Sequence, residues 1–141
     1  MDESEGSEFF TRLGRLSLRD DAARIAAMVA KVGYVWSDKD GEASSLEEAK
    51  KNYLAKLTLE YLESPGPGSK PGAVKSMPVS QAEIRALADP RYEAYIKDMV
   101  ERRKLANMAR VRFDVSKLYV EMQRSANAAR RSEANLAGMH T

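Results

Sequence analysis

The chain contains no cysteine. That excludes disulfide scaffolds, thiol nucleophiles and cysteine-ligated zinc, and it fits a reducing compartment. A single histidine, His140, stands next to last in the sequence, so it lacks the framework a catalytic base needs and is expected to be a solvated tail. Aromatic residues make up only 7%, with one Trp and three Phe. No apolar run approaches the ~18 residues of a transmembrane candidate. The opening Met1-Asp2-Glu3-Ser4-Glu5 is acidic and lacks the apolar stretch of a secretory signal. The expected location is therefore cytoplasmic. Neither a phosphate-binding glycine loop nor a dinucleotide fingerprint is present. Asp38, Asp40 and Gly41 supply only part of a calcium loop. Glu47 and Glu48 are better explained by helix capping than by acid–base work. These absences predict a chain that binds rather than catalyses, with no metal and no cofactor.

What is present points to helices. The 141 residues fit one domain. Mean hydropathy is −0.52, and much of the apolar content is Ala and Met. Such composition makes narrow apolar seams that need partners, which favours a homo-oligomer. Residues 1–16 are expected to be a flexible acidic segment, although Phe9, Phe10, Leu13 and Leu16 have helical spacing. Ser17 and Asp20 form a variant capping box, and Ile25, Met28, Val29 and Val32 then repeat at threes and fours. That predicts a helix over 19–36. Asp38-Lys39-Asp40-Gly41 has the composition of a turn. Ser44 and Ser45 precede Glu47 and Glu48 by three residues, a second helix start. A helix over 45–63 follows, so 17–63 is predicted to be a helical hairpin.

Residues 64–78 alternate proline and glycine too densely for helix or strand and form a linker. Ser80 and Glu83 make a third capping box for a short helix reaching about Ala88. Asp89-Pro90 is then an N-cap followed by proline at the first helical position. From Arg91 to Ala137 there is neither Pro nor Gly. A single long helix is predicted there, making 79–141 a short helix plus a long basic one. The fold class is all-α.

Charge is uneven although the net is only +2. Residues 1–70 carry 10 basic and 13 acidic side chains, and 71–141 carry 13 basic and 8 acidic. Within 102–131 nine basic residues face only Asp114 and Glu121. The asymmetry suggests a segment that binds polyanions. Two stripes appear on the long helix. Met108, Val111, Val115, Leu118 and Met122 recur at alternating threes and fours, and Ser125, Ala129 and Ser132 continue the pattern. This is a heptad seam that wants a partner helix, from the same chain or another copy. Arg103, Arg110, Lys117, Arg124 and Arg131 are each seven residues apart, which places them along one side of a regular helix. Arg102, Arg112 and Arg130 broaden the basic region, and Phe113 is positioned to stack a base beside Lys117. Such a track suits a phosphate backbone without reading sequence, and it does not separate DNA from RNA. The competing assignment is a solvated or protein-facing surface. Tyr53, Lys56 and Tyr61 form either a second contact zone or core packing with a solvated lysine. Tyr34 and Trp36 are either a partner-facing patch or a helix–helix anchor.

The order of elements over roughly residues 20–136 resembles the phage recombination mediators of the UvsY type. Three stretches carry the likeness: Lys56-Leu57-Thr58-Leu59-Glu60-Tyr61-Leu62 before the loop, Ser76-Met77 with the charged turn of 83–91, and Arg124-Ser125 late in the long helix. The resemblance implies a ring-like homo-oligomer that binds single-stranded DNA. It also implies a role in helping a RecA-like recombinase replace a single-strand-binding protein, in the host cytoplasm for a phage-encoded chain. Lys56 matches one basic position of that family's DNA-binding segment, and Thr58 stands at the second. This departure shifts the expected DNA contact toward the stripe at 103–131. The alternative is a helical scaffolding or assembly module without nucleic-acid binding, whose basic stripe would meet acidic protein surfaces.

Overall fold

The computed structural model describes residues 8, 11, 18–64 and 77–139. Every element there is an α-helix: α1 (Leu18–Glu63), α2 (Val79–Leu87) and α3 (Pro90–Met139). The all-helical class is as expected. Most of the acidic N-terminal segment, Ser17 of the first capping box, and the linker at 65–76 lie outside the described residues.

The expected hairpin is corrected. The helices predicted over 19–36 and 45–63 are a single helix, α1, with no turn at Asp38–Gly41 and hence no hairpin within 17–63. Gly in a helix interior costs about 1 kcal/mol relative to Ala, yet packing outweighs it here. Ala43 is fully buried, and Asp40 is drawn to Arg103 on α3 at 2.6 Å. Ser45 is not a cap; its hydroxyl donates to the Gly41 carbonyl at 2.9 Å, within the helix. Antiparallel helix pairing is instead made between α1 and α3.

The chain divides into two compact units, each drawing on both long helices. In the unit formed by 40–104, rising positions on α3 meet falling positions on α1. Asp89 meets Tyr61, Tyr95 meets Leu46, and Arg102 meets Glu42. The start of α3 is built as its sequence dictates. The buried Asp89 carboxylate accepts from the Arg91 backbone N–H at 2.7 Å, from its guanidinium at 3.0 Å and from the Tyr61 hydroxyl at 2.8 Å. These donors hold the Asp89 carboxyl well below the usual carboxylate range, and the Arg91 guanidinium contributes most. Tyr53 and Tyr95 stack with ring centroids 4.5 Å apart, and the Tyr95 hydroxyl donates to the Leu46 carbonyl. The short α2 buries Ala82 and Ala86. It starts at Val79 behind Pro78 with no side-chain cap, so the Ser80–Glu83 capping box does not form.

The other unit combines 1–39 with 105–141. Among the described residues its buried positions are Ile25 from α1, and Ala106, Ala109 and Ser116 from α3. The Ser116 hydroxyl donates to the Phe113 carbonyl at 2.7 Å, which removes the cost of burying it. The Trp36 and Phe113 rings stack at 5.6 Å with an interplanar angle of 19°. Phe113 also lies over Gly33, where a Cβ would come within 2.9 Å of its ring. Small residues let the helices approach, and the two aromatics fill the remaining gap.

Candidate nucleic-acid interface

The buried and half-buried positions of α3 in the unit containing 105–141 include Ala106, Ala109, Phe113, Ser116, Val120, Gln123 and Asn127. Their spacing alternates threes and fours, so this is the heptad seam that faces α1. It differs from the seam predicted at 108–122, which is displaced from it by two residues. Two residues rotate about 200° round a helix. The predicted seam therefore lies on the outer face. Val111, Leu118 and Met122 are more than half exposed, Met108 is 39% exposed, and Val115 is half-buried.

The cations occupy the position following Ala109, Ser116 and Gln123, on the flank of the inner seam. Arg110 and Lys117 are exposed and share one carboxylate. The Asp114 side chain lies 3.8 Å from the Arg110 guanidinium and 3.1 Å from the Lys117 ammonium. Arg124, Arg130 and Arg131 are exposed, and no carboxylate among the described residues pairs with them. Arg112 is half-buried beside the outer seam.

Three predicted contributors to the basic region, Arg103, Arg102 and Phe113, have other work. Arg103 belongs to the unit containing 40–104. Its guanidinium donates to Asp40 at 2.6 Å, to both oxygens of Glu47 at 2.8 Å, and to the Ser44 hydroxyl at 3.2 Å. The bond from Arg103 holds the Glu47 carboxyl below its ordinary value, while Glu47 and Asp40 push the guanidinium up. With its donors so committed, Arg103 is a clamp between α1 and α3 and not part of an open phosphate surface. Its neighbour Arg102 is bound likewise, to Glu42 at 2.7 Å and to Asp98 at 3.3 Å. Phe113 is not presented for base stacking. Its ring is half-buried against Trp36, with the Lys117 ammonium 4.5 Å from the centroid. The cations of the predicted track that remain exposed are thus Arg110, Lys117, Arg124 and Arg131, with Arg130 beside them.

Lys56 is exposed on α1 within the unit containing 40–104, whereas Tyr53 and Tyr61 are spent on Tyr95 and Asp89. Trp36 is a helix–helix anchor, but Tyr34 is 76% exposed. Sequence inspection missed Asp40, Glu42 and Glu47 as partners of the long helix. The available signal was the seven-residue spacing of Asp40 and Glu47, which matches one heptad flank. Assigning them to a turn and a cap concealed it. No group of three or more His, Cys, Asp or Glu among the described residues could hold a metal ion. No helix among them is long and apolar enough to cross a membrane. Compared with models of known protein families, with curated proteins and with solved structures, the chain matches none.

Proposed function

We propose that this chain is a non-enzymatic, single-stranded DNA-binding mediator that helps load a RecA-like recombinase onto DNA covered by single-strand-binding protein. The observation that carries the DNA-binding part is the exposed track Arg110, Lys117, Arg124 and Arg131 on an unbroken α3. Its last two members, with Arg130, have no carboxylate partner among the described residues. Cations spaced about 10.5 Å apart along a helix axis neutralise successive phosphates and release counterions without discriminating bases. The mediator part rests on the likeness of the chain's segments to the UvsY type. A homo-oligomer presenting several such tracks multiplies a weak contact into tight binding.

The test is binding of a fluorescent single-stranded oligonucleotide by the Arg124→Glu/Arg131→Glu variant at low salt. The expected result is at least a tenfold loss of affinity with helicity unchanged. Isotherms that overlay the wild type would remove α3 as the DNA surface. Recombinase loading onto coated DNA tests the second part, and a variant deficient in DNA binding is expected to fail in it.

The exposed apolar outer face of α3 favours a second reading, a helical assembly module without nucleic-acid binding. On that reading wild-type protein binds no oligonucleotide even at low salt.

A further inference from the structure

The outer seam of α3 does not stop at Met122. Continued at threes and fours it passes Ser125, Ala129 and Ser132, and ends on Leu136 and Met139. Leu136 is 57% and Met139 82% exposed. The face turned away from α1 thus carries large apolar side chains at both ends of a 32-position stretch, with Ser125, Ala129 and Ser132 between them, where a two-helix pair ordinarily carries charged and polar residues throughout. The seam is also ordered by size. Large residues fill its first half, small ones follow at 125, 129 and 132, and large ones close it.

We infer that this face pairs with the same face of a second copy of the chain, antiparallel, about a two-fold axis between Met122 and Ser125. In that register Met122 lies across from Ser125, Leu118 from Ala129, and Val115 from Ser132. Val111 then meets Leu136 and Met108 meets Met139. Every layer receives at least one large side chain, and each small residue accepts a large one. A parallel pairing sets the three small residues against themselves and leaves consecutive layers underfilled, which forfeits dispersion contacts. The flanking positions agree with the antiparallel choice. Arg112 lies across from Glu133, and Asp114 across from Asn135, so no like charges meet. A two-fold contact of this kind is self-complementary and closes as a dimer. The cation track lies on the far side of α3 from the outer seam and stays accessible. The pairing does not depend on DNA binding, and a chain that binds no DNA still forms it.

The absence of native cysteine makes the orientation directly measurable. Wild-type protein is expected to scatter light as a dimer or an even-numbered multiple, and Leu118→Glu to lower the mass to that of one chain with helicity retained. Leu118→Cys protein mixed with Ala129→Cys protein is expected to cross-link under mild oxidation. Neither variant alone should do so, because like positions are then separated by about 16 Å along the axis, beyond disulfide reach. A monomeric wild type, an odd-numbered ring, or a disulfide dimer of Leu118→Cys alone would overturn the inference.

Discussion

Gly33 and Gly41 lie eight residues apart on α1, and their surroundings give them opposite mutational signs. Nothing stands within 4 Å of a Cβ placed at Gly41, so Gly41→Ala gains helix propensity unopposed. It is expected to stabilise the protein by about 1 kcal/mol. At Gly33 the same methyl group meets the Phe113 ring at 2.9 Å. That ring is already stacked on Trp36, so Gly33→Ala is expected to destabilise despite the same propensity gain. Urea midpoints of the two variants at neutral pH check both signs. Asp89 carries the pH dependence at this scale. Its folded value is depressed, so its contribution is complete above the ordinary value of 3.8 and is lost as pH falls below that toward the folded value. Glu47 acts in the same direction. Asp89→Asn keeps a good N-cap but removes the titration. Its urea midpoint should fall less between pH 7 and pH 3 than that of the wild type.

At the scale of elements, local chemistry fixed some boundaries and tertiary contacts others. Asp89-Pro90 was legible as the start of α3 because the cap and the proline act within two residues of each other. The unbroken run to Met139 was legible from the absence of glycine and proline through Ala137. The continuity of α1 was not. Asp38-Lys39-Asp40-Gly41 has turn chemistry when taken alone, and only Arg103, more than sixty positions later in sequence, gives Asp40 a reason to stay helical. The candidate site divides in the same way. Heptad spacing revealed which cations share a side of α3. It could not reveal that Arg103 faces Asp40 and Glu47, or that Phe113 is claimed by Trp36, because those partners sit on another helix. Amide exchange tests the continuity of α1 most simply. The backbone N–H groups of residues 38–41 are expected to exchange as slowly as their helical neighbours, whereas a turn there would expose them within the dead time.

For the molecule as a whole, the net charge of +2 hides an uneven placement of charge. The acidic residues of α1 neutralise Arg102 and Arg103, while Arg124, Arg130 and Arg131 have no carboxylate partner among the described residues. Pairing through the outer seam would set two such tracks in one particle, and two weak contacts would then act as one. The most direct measurement is a salt titration of single-stranded oligonucleotide affinity for the wild type and the Arg124→Glu/Arg131→Glu variant. Four phosphate contacts predict a slope of log affinity against log salt near −3 per protomer, at roughly −0.7 per phosphate for single strands, reduced by about half in the variant. Binding that ignores salt, or an identical slope for the two proteins, would contradict the account.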